Sequence, residues 1–454
     1  MKKFVKAMAL SIAVMLAAST VGCGTKATEP AKATTTVAAQ GTTAETSTPK
    51  EKVTVEFAYP SFASAMGAWQ GAVDEANKLL EGKNIEIKVN KIPLDQWPVY
   101  YQKIVALIAA GNSPDIGRVA ESMFPKLIQN DQVVDISDVV AKLDMSQYYE
   151  NAFKGSAVKD GKTYGIPSGI YNIFLYYNKD LFEKAKLEAP SPDWTKPITY
   201  DTLVADAKAL TSGSGANKIF GFSGIFEAGW INSYLLSAGA KGLYADDGTC
   251  SLDDASNIKV LNYLDQMWRV DKSMPQSTDT KVMGPAEMFK AGKLGMMVTG
   301  SWYFPEAKGI KSFKVGIAAL PSNGGKAFST GFLDGWAVFK GAKHEAEAKE
   351  AVLALASKEV NDFLSTSGEA GGPIVQSSLE DNKAKILGAP FTEVDTKSYV
   401  DSLSNLIKSP YTTNMDDWAP KYNSAVDQFS LGKLTPEAFA KQAKEIIDQG
   451  NAAK

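Results

Sequence analysis

The chain is poor in the residues that most often bind metals or act as nucleophile–base pairs. Among 454 residues there are two cysteines and one histidine. His344 lies in the charged stretch KGAKHEAEAKE, the pattern of a solvated helix. Cys250 lies in DDGTCSLDD, where Asp247-Gly248 is a turn signal and Thr249 to Leu252 alternates like a short strand. It reads as a structural residue. Zinc sites and Ser–His or Cys–His catalysis have almost no material to work with. DDGTCSLDD also lacks the spaced acidic positions and distal Glu of a calcium loop, and reads as a turn followed by a helix cap. No metal and no cofactor are expected. A large excess of one charge is missing too. The 48 basic and 51 acidic residues leave a net charge of -3, which gives no electrostatic ground for a nucleic-acid partner. There is no internal repeat. The one long apolar run, Ala7 to Ala18, is too short to span a bilayer.

What is present is an ordinary globular balance, 44% hydrophobic and 22% charged, in a chain too long for one core. The first residues stand apart. Lys2, Lys3 and Lys6 precede the apolar run, and small residues follow it, so 1–22 reads as a secretory signal peptide. TVGCG then places Cys23 where it resembles the acylated cysteine of a bacterial lipobox, although Thr20 stands where that family usually has Leu. The resemblance implies a lipoprotein carrying palmitate or a similar acyl chain on Cys23. An ordinary signal peptide with an incidental cysteine is the alternative. With Cys23 acylated, Cys250 has no disulfide partner. Residues 23–50 are rich in Thr and Ala and have no aromatics, so they cannot bury enough surface to order themselves. They read as a tether that reaches roughly 90 Å when stretched.

The body then alternates strands and helices. VTVEFA (53–58) and IEIKV (85–89) read as strands, with a helix between them whose Trp69, Val73, Ala76 and Leu80 share one face. A second helix starts at Pro98, a tolerated first position, and ends at Gly111. SPDIGRVA opens the next strand. The pattern returns at 161–188, 199–225 and 312–357, and the chain ends in two helices around Gly432, with Thr435 capping the second. This is an α/β chain.

Five blocks, in order, carry a resemblance to a known family. They are YYQKIVALIAAGNSPDIGRVAESMFPKLIQNDQVVDIS, GKTYGIPSGIYNIFLYYNKDLFEKA, MFKAGKLGMMVTGSWYFP, VGIAALPSNGGKAFSTGFLDGWAVFKGAKHEAEAKEAVLAL and the terminal helix pair. Together they resemble the bacterial extracellular solute-binding proteins of the maltose-binding and multiple-sugar-binding type. The resemblance implies a two-lobe periplasmic-binding-protein fold (type II) with discontinuous lobes joined by crossover strands. The expected crossovers lie near Gly165–Ser168, Val315–Ala319 and Ser357–Val360. The first lobe is then 51–166 plus 317–358 and the second 167–316 plus 359–454. The family implies a monomer that is not an enzyme, tethered at the extracellular face of the bacterial cytoplasmic membrane. It captures a carbohydrate by hinge closure and delivers it to the permease subunits of an ABC transporter.

A sugar offers C–H patches on its faces and hydroxyls around its edge, so its site needs flat aromatic surfaces and fixed polar partners. Trp302, just past the apolar run LGMMV (294–298) and the stop Thr299-Gly300-Ser301, matches the family's stacking tryptophan, with Tyr303 and Phe304 packing behind it. The other candidates are Trp336, Asp334, Tyr171, Trp230, Glu121, Ser61, Phe62, Trp97 and Trp418. Trp69, Trp194 and Trp268 read as core, and Gly371-Gly372-Pro373 as a loop near the cleft. Two alternatives stay open: a binding protein of the same fold for a non-sugar solute, and an exported glycoside-active enzyme. The enzyme would need two carboxylates flanking the scissile bond, and no motif proposes them.

Overall fold

Two mixed sheets organise the chain, and the segments that cross between them set the site. The computed structural model describes residues 51–452 apart from 61–65, 93–96 and 368–370. The expected leader, Cys23, the tether, Ser61 and Phe62 lie outside the described residues.

The first sheet starts with β1 (Val53–Pro60). Helix α1 (Met66–Leu80) packs back on it and buries Trp69, Val73, Ala76 and Leu80, the stripe that helical spacing predicts. β2 (Ile85–Ile92) pairs parallel with β1. After α2 (Trp97–Ala109), β3 (Ile116–Val119) pairs parallel with the other side of β1. Parallel neighbours need such helical crossovers because a hairpin cannot join them. β4 (Ile166–Pro167) and, much later, β10 (Gly335–Val338) complete the order β2-β1-β3-β10-β4, with β10 antiparallel to both its neighbours.

β5 (Tyr171–Asn178) is the centre of the second sheet, and all eight of its residues are buried, as in a strand covered on both faces. On one side it pairs with β7 (Leu294–Gly300), and β6 (Phe220–Ser223) lies beyond that. On the other side it pairs with β8 (Val315–Ala318) and β9 (Ser329–Phe332), and β11 (Leu406–Lys408) extends β9. Helix α3 (Ala228–Ser237) packs on β9, and α4 (Phe304–Gly309) follows β7 after a 3-10 turn, Ser301–Tyr303. Tyr303 and Phe304 pack against Tyr176 at ring distances of 5.4 and 6.1 Å, behind Trp302 as the sequence suggests. Trp69, Trp194, Trp268 and Cys250 are buried, and burial pushes the Cys250 thiol up to about 11.

Sheet membership moves two of the three expected crossovers. The first stands, since Ile166–Pro167 belongs to the first sheet and Tyr171 to the second. Val315–Ala318 does not cross; it pairs with β5. The chain returns to the first sheet only after β9, through Leu333-Asp334. A short apolar run such as VGIA shows that it is a strand without showing which sheet takes it. Ser357–Val360 does not cross either. Ser357 caps α6 (Lys358–Thr366), its hydroxyl accepting from the Val360 N–H at 3.3 Å. α6 packs on α1 so closely that a Cβ at Gly71 would lie 2.1 Å from the Phe363 ring. The segment after 358 therefore stays with α5 (Glu345–Leu355) and α1 on the first sheet before α7 (Gln376–Ile386) and α8 (Glu393–Leu403) carry it across, and α8 packs on β8.

The crossing segments are laced together. Ser168 donates to the Asp334 carbonyl from its N–H at 2.7 Å and from its hydroxyl at 2.9 Å. The Ile170 N–H donates to the Gly372 carbonyl at 2.7 Å. A Cβ at Gly371 would sit 2.0 Å from the Ile170 oxygen, so glycine is required for that approach. The terminal helices α9 (Met415–Ser430) and α10 (Pro436–Ala452) pack as a pair, with the Phe429 and Phe439 rings stacked at 4.8 Å.

Candidate functional site

A cavity of about 520 Å³ lies where the two sheets and their crossings meet. The elements of the second sheet give it an aromatic wall. β7 ends at Gly300, and the 3-10 turn presents Trp302, which is 36% exposed although its neighbours are buried. The ring lies over Gly300, where a Cβ would come within 2.0 Å of it and displace it. Trp230, near the start of α3, meets Trp302 edge-on at 5.1 Å. Phe332, the last residue of β9, lies 3.9 Å from Trp230, and Tyr411, past β11, lies 5.7 Å from Phe332. The four rings form a row. Pro305 and Glu306 of α4 continue its rim.

The facing wall is polar and belongs to the first sheet and the crossings. Arg118 projects from β3 and is 4% exposed. Its Nη2 donates to the Tyr171 hydroxyl at 2.9 Å and to Asp334 Oδ2 at 3.0 Å. Its guanidinium carbon lies 4.1 Å from the Trp69 ring centre and 5.1 Å from that of Trp97. Stacked and paired in this way, the charge is held in one position and its desolvation is offset. Asp334 Oδ1 accepts from the Glu121 N–H at 3.2 Å. Burial raises the Asp334 carboxyl, and Arg118 opposes that shift.

Glu121 opens the turn after β3 and is 1% exposed. Its Oε1 accepts from the Ser156 N–H and hydroxyl, and its Oε2 from the Leu333 N–H at 3.0 Å and the Ser409 hydroxyl at 2.9 Å. One carboxylate thus ties the first sheet, a crossing and the segment after β11 together. Burial pushes it up to about 7, against these hydrogen bonds and with help from Asp334. The folded state therefore holds a proton that the unfolded chain, near 4.5, releases. The stability this gives is full below about pH 4.5 and is lost as pH rises through about 7, on the order of 3 kcal/mol in all. We expect the melting temperature of the wild type to fall relative to Glu121→Gln between about pH 5 and 8. Parallel curves for the two proteins would refute this assignment.

Of the residues proposed from sequence, the structure brings Trp97, Glu121, Tyr171, Trp230, Trp302 and Asp334 to this cavity. Trp336 and Trp418 are not there. Trp336 lies in β10 and is 1% exposed, with Phe57 and Trp69 packed edge-on at 5.6 and 5.4 Å. It sits in the core beside Arg118, its register partner on β3. Trp418 lies inside α9 and is 2% exposed. It donates from Nε1 to Asn451 Oδ1 at 3.0 Å and packs so tightly on α10 that a Cβ at Gly450 would lie 2.4 Å from it. Arg118, Phe332 and Tyr411 were missed. Arg118 had a readable signal, since a charge inside a wholly buried strand requires a partner.

Comparison with known proteins bears on what such a cavity holds. The bacterial extracellular solute-binding protein family matches residues 71–391. A Brucella abortus (strain 2308) protein designated a binding protein is 26% identical over 378 residues, 83% of this chain and 88% of that one. The diacetylchitobiose binding protein DasA of Streptomyces coelicolor is 24% identical over 321 residues, 68% of this chain and 73% of that one. Among solved structures, the ABC substrate-binding protein Lmo0181 from Listeria monocytogenes, in complex with cycloalternan, superposes with a TM-score of 0.76 at 23% identity, covering 89% of this chain and 100% of that one. That likeness is one of fold, the two-lobed arrangement built here on two sheets.

Proposed function

The chain belongs to the bacterial extracellular solute-binding proteins, and we propose that its solute is a carbohydrate, an oligosaccharide. The lobes built on the two sheets close around it, and the closed form delivers it to the membrane subunits of an ABC transporter. The observation that carries this reading is the row Trp302–Trp230–Phe332–Tyr411 facing a fixed polar wall of Arg118, Asp334 and Tyr171. Aromatic faces suit the C–H patches of a pyranose, and fixed donors and acceptors suit its hydroxyls. Relatives whose names specify diacetylchitobiose or a bound cycloalternan support the same class. On this reading Cys23 carries the lipid anchor, 23–50 is the tether, and the protein works as a monomer outside the membrane.

Closure is a hinge motion, and the crossings at Ser168–Ile170 and Leu333-Asp334 are where it would bend. X-ray scattering profiles should contract when the ligand saturates the protein, and identical profiles would contradict closure. The protein binds without turnover, so chromatography after long incubation should recover the sugar unchanged. Shorter products would show a glycoside-active enzyme instead.

A further inference from the structure

Two carboxyls stand side by side where the chain crosses between the sheets, and a cation pairs with only one of them. Asp334 has the Arg118 guanidinium at 3.0 Å. Glu121 donates its own N–H to Asp334 Oδ1, and its carboxyl has no ion pair among the described residues. The groups around it add no positive charge. Asp334 faces it from the crossing, and Tyr411 faces it from beyond β11 with a phenol that burial holds well above its usual range. Glu227 and Asp416, near Tyr411, are acidic. Arg118 on β3 is committed to Asp334 and Tyr171, and Lys126, on the segment after Glu121, is paired with Asp417 at 2.9 Å. A buried carboxyl beside a carboxylate and without a cation of its own is neutralised by a proton.

The hydrogen bonds around Ser409 need the same proton. Its Oγ lies 2.9 Å from Glu121 Oε2 and 2.8 Å from the Gly331 carbonyl oxygen. A serine hydroxyl has one proton, so it can donate to only one of these two acceptors. With a proton on Oε2, Glu121 donates to Ser409 and Ser409 donates to Gly331, and both short contacts become hydrogen bonds. Oε2 still accepts from the Leu333 N–H, and Oε1 from Ser156. The ionised carboxylate takes the Ser409 proton for itself and leaves that contact to Gly331 empty. This relay spans what closure moves. Glu121 follows β3 of the first sheet, Gly331 lies in β9 and Ser409 follows β11 in the second, and Leu333 lies in the crossing between them.

We propose that solute capture is linked to a proton held on Glu121 and relayed through Ser409 to Gly331, across the two sheets. This rests on the reading above that the cavity takes up a solute and closes on it. A solute filling the cavity displaces the water that reaches Asp334 and lowers the dielectric around Glu121, which makes the Glu121 anion costlier. Binding therefore takes up a proton wherever the free protein has begun to lose it, which burial places at about pH 7. The complex is tighter in acid and weakens as pH rises through that value.

Infrared titration of the ligand-free protein reads the proton directly. A carboxylic-acid carbonyl band should be present near pH 6, fade by about pH 8 and be missing from Glu121→Gln. Asp334→Asn releases Arg118 to face Glu121 and should move the fading to lower pH, which assigns the band even if Glu121→Gln does not fold. A Glu121 already ionised near pH 6 overturns the proposal. Calorimetry then reads the linkage, with neutral gluco-, manno-, arabino- and N-acetylglucosamine oligosaccharides in buffers of different ionisation enthalpy. The sugar that binds should do so about fivefold more weakly at pH 8 than at pH 6, the change that a further one-unit rise of the Glu121 carboxyl on binding produces. Net proton uptake should accompany binding near neutral pH, and Glu121→Gln should lose both effects. Equal affinities without proton uptake overturn the linkage and leave the carbohydrate reading standing. No binding by any neutral sugar removes both.

Discussion

Replacing Trp302 by alanine weakens carbohydrate binding by about 2 kcal/mol or more, roughly thirtyfold, and leaves the melting temperature near that of the wild type. The two halves of this expectation have separate causes. Binding falls because the ring is the most exposed of the aromatic row and stands at its end, where Gly300 leaves it room. Stability holds because the packing of that turn is done by Tyr303 and Phe304, each 5% exposed and in contact with Tyr176. Trp336→Ala is the contrasting variant. It empties a core site between Phe57 and Trp69 and should cost about 3–5 kcal/mol of stability. Unchanged affinity in Trp302→Ala, or a large fall in its melting temperature, would return that ring to the core.

Arg118→Met should destabilise the protein by about 3–5 kcal/mol. Arg118 is a buried cation with a partly buried partner, Asp334, and its Nη2 also serves the Tyr171 hydroxyl. Removing it leaves a carboxylate without its counter-charge beside a second buried carboxyl, Glu121, in a region of low dielectric. The partner variant makes the argument specific. If the loss comes from the uncompensated charge, Asp334→Asn added to Arg118→Met should recover a large part of it, because a buried pair is costly to break and much less costly to replace whole. Urea unfolding of the two single variants and the double variant gives the coupling. Additive losses would show that Arg118 acts by packing on Trp69 alone. Binding should fall in either single variant, since Tyr171 and Asp334 both line the cavity.

The α/β alternation was legible because it rests on local pattern, whereas the first crossover and the choice of Trp302 came from the family resemblance. The stripe of α1 has helical period, and LGMMV followed by Thr-Gly-Ser announces a strand end with aromatics beyond it. Partner choice was not legible. VGIA was a strand by any reading, yet only the assembled sheet shows it beside β5 rather than leading back to the first sheet. The resemblance put a crossing near Ser357, but Ser357 caps the next helix, and the glycine that seats that helix, Gly71, lies far away in the chain. Trp336 and Phe332 flank the same crossing, but Phe332 ends a strand of the second sheet and lines the cavity while Trp336 lies in the first sheet and packs on Phe57 and Trp69, a difference that composition does not record. Trp418 was a site candidate, yet α9 runs through Pro420 and buries that ring. Tyr411 sits in SPYTTN, which has no periodicity to read.

The central claim is that the cavity between the sheets captures a carbohydrate. The most direct measurement is a thermal-shift screen of the purified protein against neutral mono- and oligosaccharides, since a ligand that binds only the folded state raises the melting temperature by mass action. The account predicts a clear, concentration-dependent rise with at least one oligosaccharide, and loss of that rise in Trp302→Ala. No shift with any sugar, together with a shift produced by a non-sugar solute, would contradict it.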